Sequence, residues 1–203
     1  MKKTILTRFF VSFVLALGAT ALSAQTHWSY TGTYQNEMRI FFELKDRNGT
    51  VGLDNYEIAA FIGGKCRGVA EKQSHVVSAE QTIYYGRLQL WGDAATETGA
   101  TITFKAYDKT THDELDVTTE PAITFADNVQ LGTISALKQF TLNILYGDVN
   151  NDGYVKVDDI VCILNHLVGK PNATFIKVAA DVNEDRNIDI ADAVSIVNII
   201  TAE

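Results

Sequence analysis

The chain has 203 residues, 46% of them hydrophobic, and 25 Asp and Glu against 17 Lys and Arg give a net charge of −8 at pH 7. An acidic chain carries no basic footprint for a phosphate backbone, which argues against nucleic acid as a partner. The two cysteines, Cys66 and Cys162, lie far apart and do not form the closely spaced pairs of a disulfide framework. Cys162 lies beside Ile163 on an apolar helix and Cys66 follows a strand-like run, which suits buried free thiols, with a bridge between them as the alternative.

Residues 1–24 read as a secretory signal peptide. Lys2, Lys3 and Arg8 precede an apolar run over 9–17, and the small residues of ATALSAQ place cleavage after Ala24 or Ala21. Its removal takes away three basic side chains, so −8 becomes −11 in the mature chain. No cysteine near the cleavage point offers a lipid attachment, and a retained signal anchor is the alternative. No later window reaches the ~18 consecutive apolar residues of a membrane helix, so no span is expected in the mature chain.

From residue 25 to 145 the apolar residues alternate or run in short blocks, as strands do. MRIFFELK (38–45) ends in the turn signal DRNGT. YEIAAFIGG (56–64) is closed by two glycines, with CRGVAEK as its hairpin mate. TIYYGRLQLWGD (82–93) and TITFKAYDK (101–109) follow, with shorter strands expected at ELDVTTE, AITFADN and FTLNILY. Seven or eight short strands imply an antiparallel, Ig-like β-sandwich with a single core. The run EIAAFIGGKCRGVA with GATITFKAYD resembles extracytoplasmic β-modules of large secreted proteins in Bacteroidetes-type bacteria. That resemblance implies a secreted, non-catalytic setting and names no ligand.

No catalytic constellation is legible in this module. His27, His75, His112 and His166 sit in no metal-binding spacing. Carboxylates such as Glu37, Glu57, Glu71, Asp93 and Asp108 could form a glycosidase pair, but on a sandwich they read as surface charges. Trp28, Tyr30, Tyr34, Tyr84, Tyr85 and Trp91 could present flat faces to a polysaccharide, or fill the core.

Residues 146–203 contain a duplication. GDVNNDGYVKVDDIVCILNHL (147–167) aligns without a gap to ADVNEDRNIDIADAVSIVNII (180–200), and Asp148 and Asp181 stand 33 positions apart. Each copy matches a 12-residue EF-hand-type loop that offers oxygen from positions 1, 3, 5, 7, 9 and 12 to a calcium ion. In the first copy these are Asp148, Asn150, Asp152, the carbonyl of Tyr154, Lys156 and Asp159. In the second they are Asp181, Asn183, Asp185, the carbonyl of Asn187, Asp189 and Asp192. Lys156 cannot ligate, so water would take its vertex. Position 12 is Asp rather than the usual Glu, so its shorter arm must begin nearer the ion.

Gly153 sits at the sharp turn of the first loop, where glycine carries no steric cost. Arg186 holds that place in the second, which implies strain there, with Asp189 adding a compensating charge. Ile160, Ile163, Leu164, Leu167 and Val168 form an apolar helical stripe after the first loop. Ala193, Val194, Ile196, Val197 and Ile200 do so after the second, and most of both stripes read as core. A core this small is marginal alone, so folding of the segment is expected to couple to two calcium ions.

A duplicated loop–helix without the entering helix of an EF-hand resembles a type I dockerin domain. The resemblance implies docking onto a cohesin module of another protein, in the setting of extracellular polysaccharide breakdown. It places partner contacts at Val157, Asp158, Leu164 and Asn165 in the first copy, and at Ile190, Ala191, Val197 and Asn198 in the second. The reading is a secreted, calcium-folded adaptor. A small polysaccharide-active hydrolase, or a glycan-binding surface protein carrying the same domain, is the alternative.

Overall fold

Strand β1 (Asn36–Asp46) buries Met38, Ile40, Phe42 and Leu44 and turns the intervening side chains outward, the period-2 pattern of a half-buried strand. It belongs to a computed structural model that describes residues 26–30 and 32–202; the expected signal peptide, residues 1–24, lies outside them. The chain continues through β2 (Gly49–Thr50), a 3-10 turn at Leu53–Asn55, β3 (Tyr56–Ile62), β4 (Lys65–Ser78) and β5 (Gln81–Gly92). After a short helix α1 (Ala94–Glu97) come β6 (Thr103–Asp108), β7 (Glu114–Thr118), β8 (Val129–Leu131) and β9 (Lys138–Asn143).

The strands form one sheet that closes on itself in the order β1-β5-β4-β3-β6-β7-β9, with β9 returning to β1. Most pairings are antiparallel. The exceptions are β1 with β8 and β1 with β9, which are parallel and use successive parts of the same strand edge. Closure leaves neither edge of β1 exposed along most of its length, which removes a site for edge-to-edge aggregation. The region is mainly β, barrel- or sandwich-like, as its alternation implies.

One expected strand is displaced. Residues 122–128 make an isolated bridge, Thr101 with Thr124, and irregular backbone bonds to residues 99–102. Ile123 and Phe125 are still buried, so the apolar signal there was a core signal and not a ladder. The regular strand begins one residue later, at Val129.

Phe42, Phe104 and Phe140 meet at the centre of this core, with Phe42 and Phe140 stacked at 4.3 Å. Gly86 makes room for them, because a Cβ there would stand 2.2 Å from the Phe42 ring. Cys66 and Cys162 are both free thiols, Cys162 buried and Cys66 half-buried, and burial pushes both thiols up.

Only four residues separate the end of β9 from Asp148. The C-terminal region has α2 (Val157–Leu167), α3 (Lys177–Ala180) and α4 (Ile190–Ala202), and α2 packs on α4. It builds a separate small core from Val149, Cys162, Ile163, Ala180, Ala193 and Ile196. The short α3 was not legible in advance. Ile176 and Val178, around its start, pack against the β-region's core. Among the described residues no helix is long and apolar enough to cross a membrane.

Candidate metal-binding loops and docking face

The position-12 aspartates fix both loops. Asp159 is wholly buried; its Oδ1 accepts the N–H of Val149 at 2.8 Å and of Asn150 at 3.1 Å, and its Oδ2 accepts Lys156 N–H at 2.8 Å. Asp192 is equally buried and accepts from Val182 (2.8 Å), Asn183 (3.2 Å) and Asp189 (2.9 Å). Each carboxylate joins the start of its loop to the start of its helix. Burial pushes the Asp159 carboxyl above the usual range, against the pull of those N–H bonds. A nearby cation would favour its charged form.

The remaining positions repeat with the same fidelity. Asp148 Oδ2 accepts Gly153 N–H at 2.9 Å, and Asp181 Oδ2 accepts Arg186 N–H at 3.0 Å. Asn150 and Asn183 accept from Asp152 and Asp185, which in turn accept from Tyr154 and Asn187. That last bond, with a second from the Asn183 amide, holds Asp185 below the usual carboxylate range. Position 6 is left-handed in both loops, Gly153 at φ 87° and Arg186 at φ 73°. So is position 4, Asn151 at φ 60° and Glu184 at φ 60°; asparagine tolerates that conformation, whereas the glutamate carries no sign of it.

Two further differences separate the loops. In the first, Asp148 Oδ1 accepts Asp152 N–H at 3.0 Å; in the second, Asp181 Oδ1 is buried with no hydrogen-bond partner. Lys156 lies over the Tyr154 ring with its ammonium 3.9 Å from Asp152, whereas Asp189 accepts Ala191 N–H at the start of α4. Among the described residues no three His, Cys, Asp or Glu side chains gather as a metal site by themselves. Each loop mixes in asparagine and main-chain oxygens, and its carboxylates engage the loop's own N–H groups.

Above the loops the helices expose matched apolar side chains. Val157, Val161 and Leu164 are 64%, 47% and 42% exposed; Ile190, Val194 and Val197, each 33 positions on, are 57%, 52% and 42% exposed. Cys162 and Ile163 on α2, and Ala193 and Ile196 on α4, face inward. Residues 146–201 match the family model of the dockerin type I domain. This region is a type I dockerin domain. Dockerin domains bind calcium, and the orphaned oxygen of Asp181 is the kind of atom that such an ion would satisfy.

A solved structure described as a crystal structure of a CaDoc0917 variant in complex with CaCohA2 at pH 5.5 is 34% identical to this chain; the match covers 29% of this chain and 98% of that one, with a TM-score of 0.28. No curated protein matches the chain.

In the dockerin domain the sequence-derived contact positions Val157, Asp158, Leu164, Ile190, Ala191, Val197 and Asn198 are exposed, and Asn165 is half-buried against Asn172. The expectation that most of the two stripes is core is corrected: Leu164, Leu167, Val168, Val194 and Val197 are exposed. A two-helix unit has one inner seam, and a stripe wider than that seam must face outward in part. Val161 was missed altogether.

In the β-region four of the six candidate sugar-stacking aromatics have separate surroundings. Trp28 packs edge-on against Phe61 and Tyr107, Tyr34 lies under Arg67, and Tyr85 packs edge-on against Phe41. Tyr84 is exposed beside Lys72. The β-region carboxylates are engaged structurally: Glu57 accepts the N–H groups of His27 and Trp28, and Glu71 pairs with Arg87.

Proposed function

We propose that the chain is a secreted, non-catalytic adaptor in which a signal peptide (1–24) precedes a β-module (25–145) and a calcium-folded dockerin domain (146–203) that docks a cohesin-type module of another protein. The observation that carries this reading is the pair of exposed apolar triads, Val157-Val161-Leu164 and Ile190-Val194-Val197, rooted in loops of the same geometry. Exposed aliphatic side chains at matched places on two helices cost solubility unless something covers them.

Each loop takes one calcium ion in this reading. Asp148, Asn150, Asp152, Asp159 and the Tyr154 carbonyl hold the first; Asp181, Asn183, Asp185, Asp192 and the Asn187 carbonyl hold the second, with Asp189 acting through water. The ion's role is structural: it neutralises carboxylates that would otherwise repel and so completes a core too small to stand alone. The setting that suits such an adaptor is extracellular polysaccharide breakdown.

Titration of the full chain against cohesin modules, with calcium and then with excess chelator, tests the reading. Saturable 1:1 binding that vanishes with chelator supports it. Binding to no cohesin module while calcium is bound contradicts it.

A further inference from the structure

The second loop is the strained one, and it is also the one held from outside. Glu184 at its fourth position and Arg186 at its sixth both have left-handed backbone, and neither is glycine or asparagine. Such conformations are costly for an ordinary side chain and persist where surroundings over-determine them. In the first loop the same places fall to Asn151 and Gly153, for which the conformation is cheap.

The external support comes from the turn between β1 and β2. The Arg47 guanidinium pairs with Glu184 Oε1, and Asn48 Nδ2 donates to Glu184 Oε2 at 2.8 Å, so both carboxylate oxygens are used. Arg47 also lies 3.5 Å over the ring of Tyr146, the residue that opens the dockerin domain. A second attachment lies just upstream of the loop. Val178 N–H donates to buried Asp113 at 3.2 Å, and the Lys177 ammonium donates to the Thr111 carbonyl at 3.0 Å. Residues 177–184 are thus fastened to the β-region at both ends. The first loop has a different neighbour: Asp148, Asn151, Asp152 and Gly153 border a polar cleft of about 890 Å³ against β7 and the end of β9.

We propose that the second calcium site is composite, with Arg47 and Asn48 acting as positioning residues that hold Glu184, and with it the loop, in the shape that receives the ion. The β-module therefore sets the affinity of that site, and by reciprocity the ion fixes the β-module against the dockerin domain. The first site is independent of the β-module. The consequence is a rigid, calcium-dependent junction in place of two modules on a free tether. The proposal rests on the loops binding calcium.

The test is calcium calorimetry on the metal-stripped full chain, with Asp192→Asn identifying the second site by its loss. In Arg47→Ala/Asn48→Ala the second site weakens about fivefold, the scale of one exposed ion pair with a cation–π contact, and the first is unchanged. Glu184→Gly relaxes the backbone and removes the carboxylate anchor together, so on that background the double substitution keeps only the smaller part of its effect that runs through Tyr146. Hydrogen exchange gives an independent readout: calcium slows exchange at the β1–β2 turn in the wild type and not in the double variant. Second-site affinity unchanged in Arg47→Ala/Asn48→Ala, or equal weakening of both sites, overturns the proposal. A wild-type chain that binds no calcium overturns the loop reading beneath it.

Discussion

Asp159 and Asp192 stand 33 positions apart and each gathers three main-chain N–H groups from equivalent residues of its own loop, although both side chains are wholly buried. A carboxylate in that position both seals the loop and leaves negative charge inside it. The first role is structural. The second demands a counter-charge.

The two roles separate by substitution. Asp159→Ala leaves three main-chain donors without their acceptor, of which the buried Val149 N–H alone costs about 1–3 kcal/mol when unpaired, so the first loop–helix should not form even in saturating calcium. Asp159→Asn keeps the shape and one acceptor oxygen; it should lose first-site calcium while retaining more helix than the alanine variant. Circular dichroism paired with calcium calorimetry checks both. Equal behaviour of the two variants would mean that the hydrogen bonds contribute nothing separable from the charge.

Arg186 sits at φ 73° where the first loop has Gly153. Arg186→Gly should tighten the second site about fivefold, equivalent to recovering roughly 1 kcal/mol of left-handed strain. Gly153→Ala should loosen the first by a similar factor, since open space surrounds that position and backbone conformation is all that changes. Two-site calorimetric fits distinguish these shifts from a general change in stability.

How much of this was legible beforehand follows from which signals are local. The loops and their 33-residue offset were legible because each ligand position is a residue type at a fixed spacing. The strands were legible from period-2 alternation, as in Met38-Ile40-Phe42-Leu44. Closure of the sheet through β1 and β9 was not, because parallel pairing across some hundred residues leaves no mark in either segment. Glu184 carried no sign of its left-handed backbone, since only glycine and asparagine advertise one. Val161 was passed over because helical periodicity gives a stripe's spacing without saying which flank meets the neighbouring helix.

The exposed triads give a prediction about docking. Val161→Asp or Val194→Asp puts a charge into one triad without touching a loop. Each should weaken binding to a cohesin-type partner, and the pair together should abolish it, with calcium stoichiometry unchanged throughout. Surface plasmon resonance alongside calorimetry reads both quantities. Full binding by the double variant would remove these helices from the interface.

In the β-region, Glu114 is held below the usual carboxylate range first by its hydrogen bond with His27 (2.8 Å) and then by Lys105. A lowered folded-state pKa contributes stability above the unfolded value of about 4.3 and loses it as pH falls through the folded value. Glu114→Gln should therefore reduce the steepness of acid unfolding below about pH 4.3. Chelated samples melted at a series of pH values isolate this from calcium. An unchanged acid limb in the variant would show that the pair carries no pH-dependent stability.

The most direct measurement is thermal and chemical unfolding of the full chain with calcium and with excess chelator, following helical and β signals separately. Chelation is expected to abolish the helical signal of residues 157–202 and leave a cooperative β transition in place, with helix returning on addition of two equivalents of calcium. Helical signal and stability unchanged in excess chelator would contradict the claim that metal completes this domain.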